Sequence, residues 1–466
     1  MHATAADCTD RSCIYALSVA PEAFAARVVL ARAAERSIDA QYYIWHGDTT
    51  GHLLLEELWN AAERGVRVRL LLDDNGIAGL DPTLAAFDSH RNIEVRLFNP
   101  FPNRRFKALG YLMDFWRLNR RMHNKSFTAD SEATIVGGRN VGDEYFGADQ
   151  LTEFADLDVL AVGPAAREVT AAFDQYWNHE AAQRAETVIG KAPPSSAAPM
   201  LEHFSAVRAR PEAVLYLEAV STTPLIEALL AGQLKLERAH TQLLYDPPVK
   251  VKGRTPDARL VFANLQSALG EPQQAIDLVS PYFVPGSKGT KALAEFAARG
   301  VMLRILTNSL SATDVAVVHA GYAKRRKPLL RAGARIYELK SELRSINRVR
   351  GRRRVGRSAA SLHAKTFSVD RKRVFVGSLN LDPRSVHLNT EMGLVIESPA
   401  LAAAAATEFD QAAQDDAYEV VLESGRLGWV ESTSRGKLRL HTEPNTSFLK
   451  RLLVRVFAWL PIEWLL

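Results

Sequence analysis

Apolar positions recur at helical spacing over residues 25–36, and residues 38–45, IDAQYYIW, then pack aromatic and branched side chains into a run that reads as a buried strand. A second helical stretch, 53–64, closes at Gly65, and beyond it 66–72 alternates arginine with apolar residues as a strand ending in Asp73, Asp74 and Asn75. Strand, helix, strand in that order predicts a parallel α/β sheet. The pattern returns later as IDLVSPYFV at 276–284, a helix at 290–299, Gly300 and a strand at 301–307. The displacement is about 240 residues, long enough for a whole folding unit rather than a short repeat. The ends of the units correspond too, since AAFDQYWN around Asp174 resembles ATEFDQAA around Asp410. The chain therefore divides into a first lobe at 25–182, a connector at 183–257, a second lobe at 258–425 and a C-terminal extension at 426–466. The connector carries Pro193, Pro194 and a helical pattern at 224–231.

Composition narrows this picture only a little. At 466 residues and 47% hydrophobic content, two core-bearing lobes are affordable and disorder is excluded as a general reading. Fifty-eight basic and 53 acidic residues leave +5, a balance that suits an anionic partner. Cys8 and Cys13 lie near the start without a histidine cluster, so two spare thiols are expected, with a short-range disulfide as the alternative. The N-terminus shows no basic stretch followed by an apolar run, and neither a signal peptide nor an anchor is predicted there. Residues 448–466, FLKRLLVRVFAWLPIEWLL, are interrupted by Lys450, Arg451, Arg455, Pro461 and Glu463, too often for a bilayer span. An amphipathic helix there either lies in a membrane interface or docks on the protein's own core.

The chemistry sits in a duplicated motif. Residues 121–140 read RMHNKSFTADSEATIVGGRN and residues 361–380 read SLHAKTFSVDRKRVFVGSLN. His123, Lys125 and Asp130 are followed by Gly137, Gly138 and Asn140; His363, Lys365 and Asp370 are followed at the same offsets by Gly377, Ser378 and Asn380. A phosphodiester repels nucleophiles, so cleaving it calls for cations on the non-bridging oxygens, a nucleophile and a proton donor for the leaving oxygen. Two histidines and two lysines supply these in duplicate, with each lysine expected on its histidine's strand and on the same face. Asn140, Asn380, Ser378 and Gly138 are placed to meet phosphate oxygens. Asp130 and Asp370 complete the motifs and are grouped with the catalytic set, although their position suits bracing a loop better than touching substrate. A nucleophilic imidazole needs its second nitrogen occupied, and Glu391 and Asp156 are the candidates to orient the histidines, in an arrangement that the sequence leaves open. No metal is expected: Asp73, Asp74, Asp156 and Asp158 do not make a cage, and two lysines disfavour a cation. Basic runs precede both motifs, Arg104, Arg105, Lys107, Arg117, Arg120 and Arg121 in one case and residues 344–357 in the other, where they could gather phosphate.

These motifs resemble the paired HxKxxxxD signature of the phospholipase D superfamily, and the resemblance runs over about 25–418. It implies an α/β fold of two similar lobes with mixed, largely parallel sheets, related by a pseudo-twofold and sharing one active site at their interface. It further implies His123 as nucleophile and His363 as general acid and base, with no cofactor. The family pattern places serine after the first glycine of the trailing motif; Ser378 follows it and Gly138 departs from it. QYYIW, AAERGVRVRLLLDD, NRRMHNK, VGGRNVGDEYF and LPIEWLL look like the bacterial cardiolipin synthase branch. That resemblance implies transfer of a phosphatidyl group between phospholipids through a phosphohistidine, with phosphatidylglycerol and then phosphatidylethanolamine as lipids. It also implies a peripheral position on the cytoplasmic face of the bacterial inner membrane. Net hydrolysis of phospholipid and metal-independent cleavage of nucleic acid are the competing activities. The second is disfavoured because no aromatics interleave the 344–357 run to stack bases, so no nucleic-acid partner is expected. A lipid-binding scaffold with a dead site is disfavoured by the presence of both histidines, both lysines and both asparagines.

Overall fold

The protein was analysed as a computed structural model that describes residues 8–104, 106–149, 152–253, 255–313, 315–341, 359–433 and 436–460. The first lobe carries β1 (Ser12–Leu17), β2 (Ser37–Ile44), β3 (Arg67–Gly76), β4 (Ile93–Phe98), β5 (Ser126–Ala129), β6 (Ala133–Gly137), β7 (Thr152–Ala155), β8 (Asp158–Val162) and β9 (Ala182–Arg184). The second carries β10 (Glu237–Tyr245), β11 (Ala275–Val279), β12 (Met302–Asn308), β13 (Arg335–Leu339), β14 (Ala359–Leu362), β15 (Thr366–Val369) and β16 (Arg373–Gly377). It ends with β17 (Met392–Glu397), β18 (Ala417–Glu423), β19 (Arg426–Thr433) and β20 (Gly436–Leu440).

Both lobes are built on one plan. β2, β3 and β4 pair in parallel, as do β11, β12 and β13, and the motif hairpins β5–β6 and β15–β16 join the edges at β2 and β11 antiparallel. The sheets are mixed, as expected, with parallel pairing in these central strands and, in a separate two-stranded sheet, between β7 and β14. The reason for the antiparallel hairpins is local. Asp130 and Ser131, like Asp370 and Arg371, take left-handed backbone angles, φ 57°, 60°, 51° and 53°, which close tight turns and force the neighbouring strands antiparallel.

The sequence match around Asp174 and Asp410 has a physical basis. In the first lobe Arg69 pairs with Asp39 across the β2–β3 register at 2.7 Å and with Asp174 at 2.7 Å, its guanidinium 4.8 Å from the Phe173 ring. In the second, Arg304 pairs with Asp277 at 2.6 Å and with Asp410, 4.5 Å from the Phe409 ring. The same clip fastens the helix Pro164–Trp177 to its sheet in one copy and Pro399–Gln411 in the other. Desolvating an arginine is tolerable only with such paired carboxylates.

Residues 183–257 serve both lobes. The helices Ala197–Arg208, Pro211–Ser221 and Pro224–Leu230 bury Phe204, Tyr216 and Leu225 in the first lobe's core, whereas β10 pairs with β17 in the second lobe's sheet. β1, which precedes residue 25, pairs with β8 on one side and β10 on the other, so the two sheets run together. Among the described residues no single helix is long and apolar enough to cross a membrane. The C-terminal helix Phe448–Trp459 seats Val454 against Leu310 and Ala320, so one face docks on the core. Cys8 and Cys13 are joined in a disulfide, Cα atoms 5.6 Å apart, which corrects the expectation of spare thiols. The chain ahead of β1 folds back so tightly that a Cβ on Gly163 would meet the Cys8 carbonyl oxygen.

Candidate active site

Each motif histidine is pinned by backbone from the other lobe. The His123 amide donates to the Thr390 carbonyl at 2.9 Å, and the Thr390 amide donates back to Arg121 at 2.9 Å. The His363 and Ala364 amides both donate to Ala155, at 2.9 and 3.0 Å, where β14 runs parallel to β7. Neither histidine lies within a strand, contrary to the sequence reading, because β5 and β15 begin only after the lysines. The exchange sets the next residue of each partner segment beside the imidazole. His123 Nδ1 lies 2.9 Å from Glu391 Oε2, and His363 Nδ1 lies 2.5 Å from Asp156 Oδ2. The sequence named both carboxylates without assigning them; the structure crosses them between lobes.

The two half-sites form one electrostatic cluster. Burial pulls the His123 pKa down to about 4, and the positive charges of Lys125 and Lys365 oppose the help from Glu391. Burial likewise pulls His363 down to about 3, followed by the charge of Lys365, with Lys125 also felt. Each lysine's charge is thus felt by the histidine of the other copy, so the two half-sites lie close enough to interact. Burial also drives Lys125 well below its ordinary value. For Glu391 and Asp156 burial works upward, but contact with the adjacent imidazole and the nearby lysine outweighs it and holds both below the usual carboxylate range. Ionised carboxylates beside neutral imidazoles favour the tautomer that donates Nδ1–H to the carboxylate and keeps Nε2 as a lone pair, and at His363 this contact competes with Lys365 Nζ, 2.9 Å from the same Nδ1.

Other predicted residues fare differently. Lys125 and Lys365 are 1% exposed and donate to the carbonyls of their own histidines. Asp130 and Asp370 stand away from the chemistry, about 15 Å from the lysines at the rise of an extended chain. Asp130 accepts from the amides of Glu35, Arg36 and Ser37, and Asp370 from those of Gln273, Gln274 and Ala275. They brace turns at the far end of the sheet, which removes them from the catalytic set. The Ser378 hydroxyl donates to Glu391 and accepts from the Met392 amide, so it fixes a carboxylate instead of meeting phosphate. Gly138 leaves room instead of making contact: a Cβ there would stand 2.2 Å from Asp156 Oδ1. Asn140 accepts from Ile44 at 3.2 Å and donates to the Tyr145 hydroxyl at 3.0 Å, while the buried Asn380 Oδ1 has no hydrogen-bond partner among the described residues.

The first basic run is largely committed. Arg121 is fully buried on Asp73, Arg104 pairs with Asp74 and Asp81, and Lys107 donates to the Asp74 carbonyl at 2.8 Å. These pairs also show where Asp73 and Asp74 go. The second run, 344–357, lies outside the described residues. Sequence reasoning missed Tyr43, whose ring meets His123 edge-on at 5.1 Å, and Phe154 and Tyr145, which flank His363 at 5.4 and 5.2 Å. It also missed Arg139, buried with its guanidinium on the Asp156 carbonyl at 2.6 Å. Nothing in the local spacing marks these four, although Arg139 stands inside GGRN.

Comparison with known proteins fits this geometry. Residues 29–177 and 265–413 each match the family described as cardiolipin synthase, PLD-like domain. The chain is 48% identical over 459 residues to cardiolipin synthase C of Escherichia coli strain K12, covering 97% of this chain and 96% of that one. The chain belongs to the cardiolipin synthase branch of the phospholipase D superfamily. It is a phosphatidyltransferase of that superfamily. A cardiolipin synthase of Halalkalibacterium halodurans is 26% identical over 78% of this chain and 58% of its own length. Among solved structures, phosphatidylserine synthase of Haemophilus influenzae Rd KW20 superposes with a TM-score of 0.60 at 14% identity, covering 100% of this chain and 99% of that one. That likeness speaks for the two-lobed phospholipase D fold.

Proposed function

We propose that this phosphatidyltransferase makes cardiolipin, moving a phosphatidyl group from one phospholipid to a hydroxyl of another through a phosphohistidine on His123. The observation that carries the reading is the crossed pair of histidine–carboxylate contacts beside two buried lysines, since it engages each Nδ1 and leaves each Nε2 for phosphorus. In the first step the His123 Nε2 lone pair attacks phosphorus, the bond from phosphorus to the donor's headgroup oxygen breaks, and that oxygen takes a proton from His363. In the second, His363 takes the proton of the acceptor hydroxyl, whose oxygen attacks phosphorus and frees His123. Lys125 and Lys365 hold the non-bridging oxygens. The arriving phosphodiester anion offsets the lysine charges and raises the His363 pKa, which loads the acid only when there is a leaving group to protonate.

Phosphatidylglycerol is the proposed donor and acceptor, with phosphatidylethanolamine as a further substrate. The proposed place of work is peripheral, at the cytoplasmic face of the bacterial inner membrane, and the C-terminal helix supports the peripheral contact. Phe448, Leu449 and Trp459 are exposed there, Trp459 by 91%, with Lys450, Arg451 and Arg455 beside them. The test uses purified protein, phosphatidylglycerol vesicles labelled on phosphorus, and a chelator. Cardiolipin together with an acid-labile, alkali-stable phosphoryl adduct on the protein is expected. Phosphatidic acid without cardiolipin would make the enzyme a hydrolase, and product without an adduct would remove the covalent step.

A further inference from the structure

Between β4 and the first motif the chain forms two short helices, Lys107–Met113 and Phe115–Leu118. Their inner side is tied to the carboxyl ends of the parallel strands. Leu118 is fully buried, Gly110 packs so closely that a Cβ would stand 3.2 Å from Leu118, and the Asn99 amide donates to the carbonyls of Arg117 and Arg120 at 3.0 and 2.7 Å. Their outer side is unlike the rest of the lobe. Leu112 is 84% exposed, Met113 80% and Trp116 63%. A simple link from a strand to a catalytic segment has no need of three large apolar side chains in water. Residues 104–121 also carry six arginines and lysines against the single acid Asp114.

We infer that this helical pair enters the headgroup–acyl boundary of an anionic phospholipid bilayer and holds the first motif at the depth of the lipid phosphorus. Three observations choose the bilayer over another occupant. The segment 104–121 keeps a net positive charge even against its carboxylate partners, six basic residues facing Asp73, Asp74, Asp81 and Asp114, which complements anionic headgroups. Aliphatic side chains beside a tryptophan form the composition that settles at a membrane interface. The pair continues directly through Arg121 and Met122 into His123, so its depth sets the depth of the imidazole. The second lobe has a counterpart: the exposed C-terminal helix rests on Leu310, just beyond the carboxyl end of β12. Each lobe therefore presents an apolar helix at the end of its parallel strands, the end that carries the chemistry.

The inference rests on the phospholipid-transfer reading for its purpose, but membrane partition is measured without turnover. The full chain and its Leu112→Asp/Met113→Asp variant, with folding checked by circular dichroism, are floated with phosphatidylglycerol and with phosphatidylcholine vesicles. Partition of the variant onto phosphatidylglycerol is expected to fall at least tenfold, Trp116→Ala by less, and the wild type should prefer phosphatidylglycerol. Turnover of vesicle lipid should fall with partition, whereas turnover of a short-chain phosphatidylglycerol below its aggregation threshold should change less than twofold. Unchanged partition overturns the inference, and so does equal loss on vesicle and short-chain lipid, or loss of self-association in place of loss of partition. Equal wild-type partition onto both vesicles removes the anionic requirement. Wild-type protein that floats through this pair and makes no cardiolipin would leave the contact standing while the transfer reading fell.

Discussion

His123 is held on a polar scaffold lent by the second lobe, whereas His363 is held between aromatic rings lent by the first. Glu391, which faces His123, is fixed at its carboxylate by the Ser378 hydroxyl and at its amide by Asp246 at 2.9 Å, and Asp246 is itself paired with Lys250 at 2.7 Å. Asp156, which faces His363, has Gly138 where the other copy has serine, and the imidazole is stacked on Phe154 at 24° and capped edge-on by Tyr145. Duplication preserved the exchange of backbone between lobes and let the supports diverge. A carboxylate tethered by a hydroxyl on a residue whose backbone is also held keeps the imidazole in one tautomer, which suits a nucleophile. A ring gripped by its faces keeps its aim while its protonation changes, which suits an acid that becomes a base.

The sharpest way to break this comparison is to remove each imidazole and supply a leaving group that needs no proton. His123→Ala should abolish both adduct and product, a loss of at least about 10⁴-fold. His363→Ala should lose a similar factor on phosphatidylglycerol, yet still form the adduct from a p-nitrophenyl phosphodiester. An adduct in His123→Ala, or none in His363→Ala, would exchange the two roles. Smaller losses should follow from the carboxylates. Glu391→Gln and Asp156→Asn are each expected to cost about 10²–10³-fold, because the amide no longer selects the productive tautomer. The Gln change should slow adduct formation more than its decay, as rapid-quench measurements would show. Smaller again are the supports themselves. Ser378→Ala removes one hydrogen bond to Glu391 and should lower kcat/KM about tenfold. Gly138→Ser should act on the other histidine, pushing Asp156 aside and moving the alkaline limb of the pH–rate profile while adduct formation from the activated ester is kept.

The sequence showed the repeat and its chemistry because both rest on fixed spacing: His123 with Lys125 and His363 with Lys365 stand at one offset, and the strands before them share a period. It also placed Glu391 and Asp156 near the site. The crossing of these carboxylates was hidden because pairing between Met122 and Thr390, or between Leu362 and Ala155, joins residues more than 200 positions apart. No local pattern encodes such contacts. Asp130 and Asp370 misled for the opposite reason. They sit in the motif by spacing, but the strand between carries them to the far end of the sheet, where three amides take up each carboxylate. Ser378 and Gly138 were legible as a difference between copies, although the cause, room for one carboxylate and a tether for the other, needed the fold. The closeness of Asp174 to Phe173 and of Asp410 to Phe409 was visible as text before Arg69 and Arg304 gave it meaning.

The smallest expected effect is on stability, where the two histidines should behave alike even though their roles differ. Both folded-state pKa values lie below the unfolded value of about 6.5, to about 4 for His123 and about 3 for His363, with burial as the first cause in each. In the window between those values the unfolded chain binds a proton that the folded chain refuses, so stability falls as pH drops from about 6.5. Discounted for residual solvent access, each histidine should cost about 1 kcal/mol between pH 7 and pH 5. Denaturant midpoints at those two pH values should therefore show a smaller acid loss in His123→Gln and in His363→Gln than in the wild type, by similar amounts. Below pH 4 the pair should separate: His123 begins to take its proton in the folded state and its penalty stops growing, while that of His363 continues toward pH 3. Equal curves throughout would mean that the polar and the aromatic settings leave the free imidazoles electrostatically equivalent, so that the difference between the half-sites would arise only when phosphate binds.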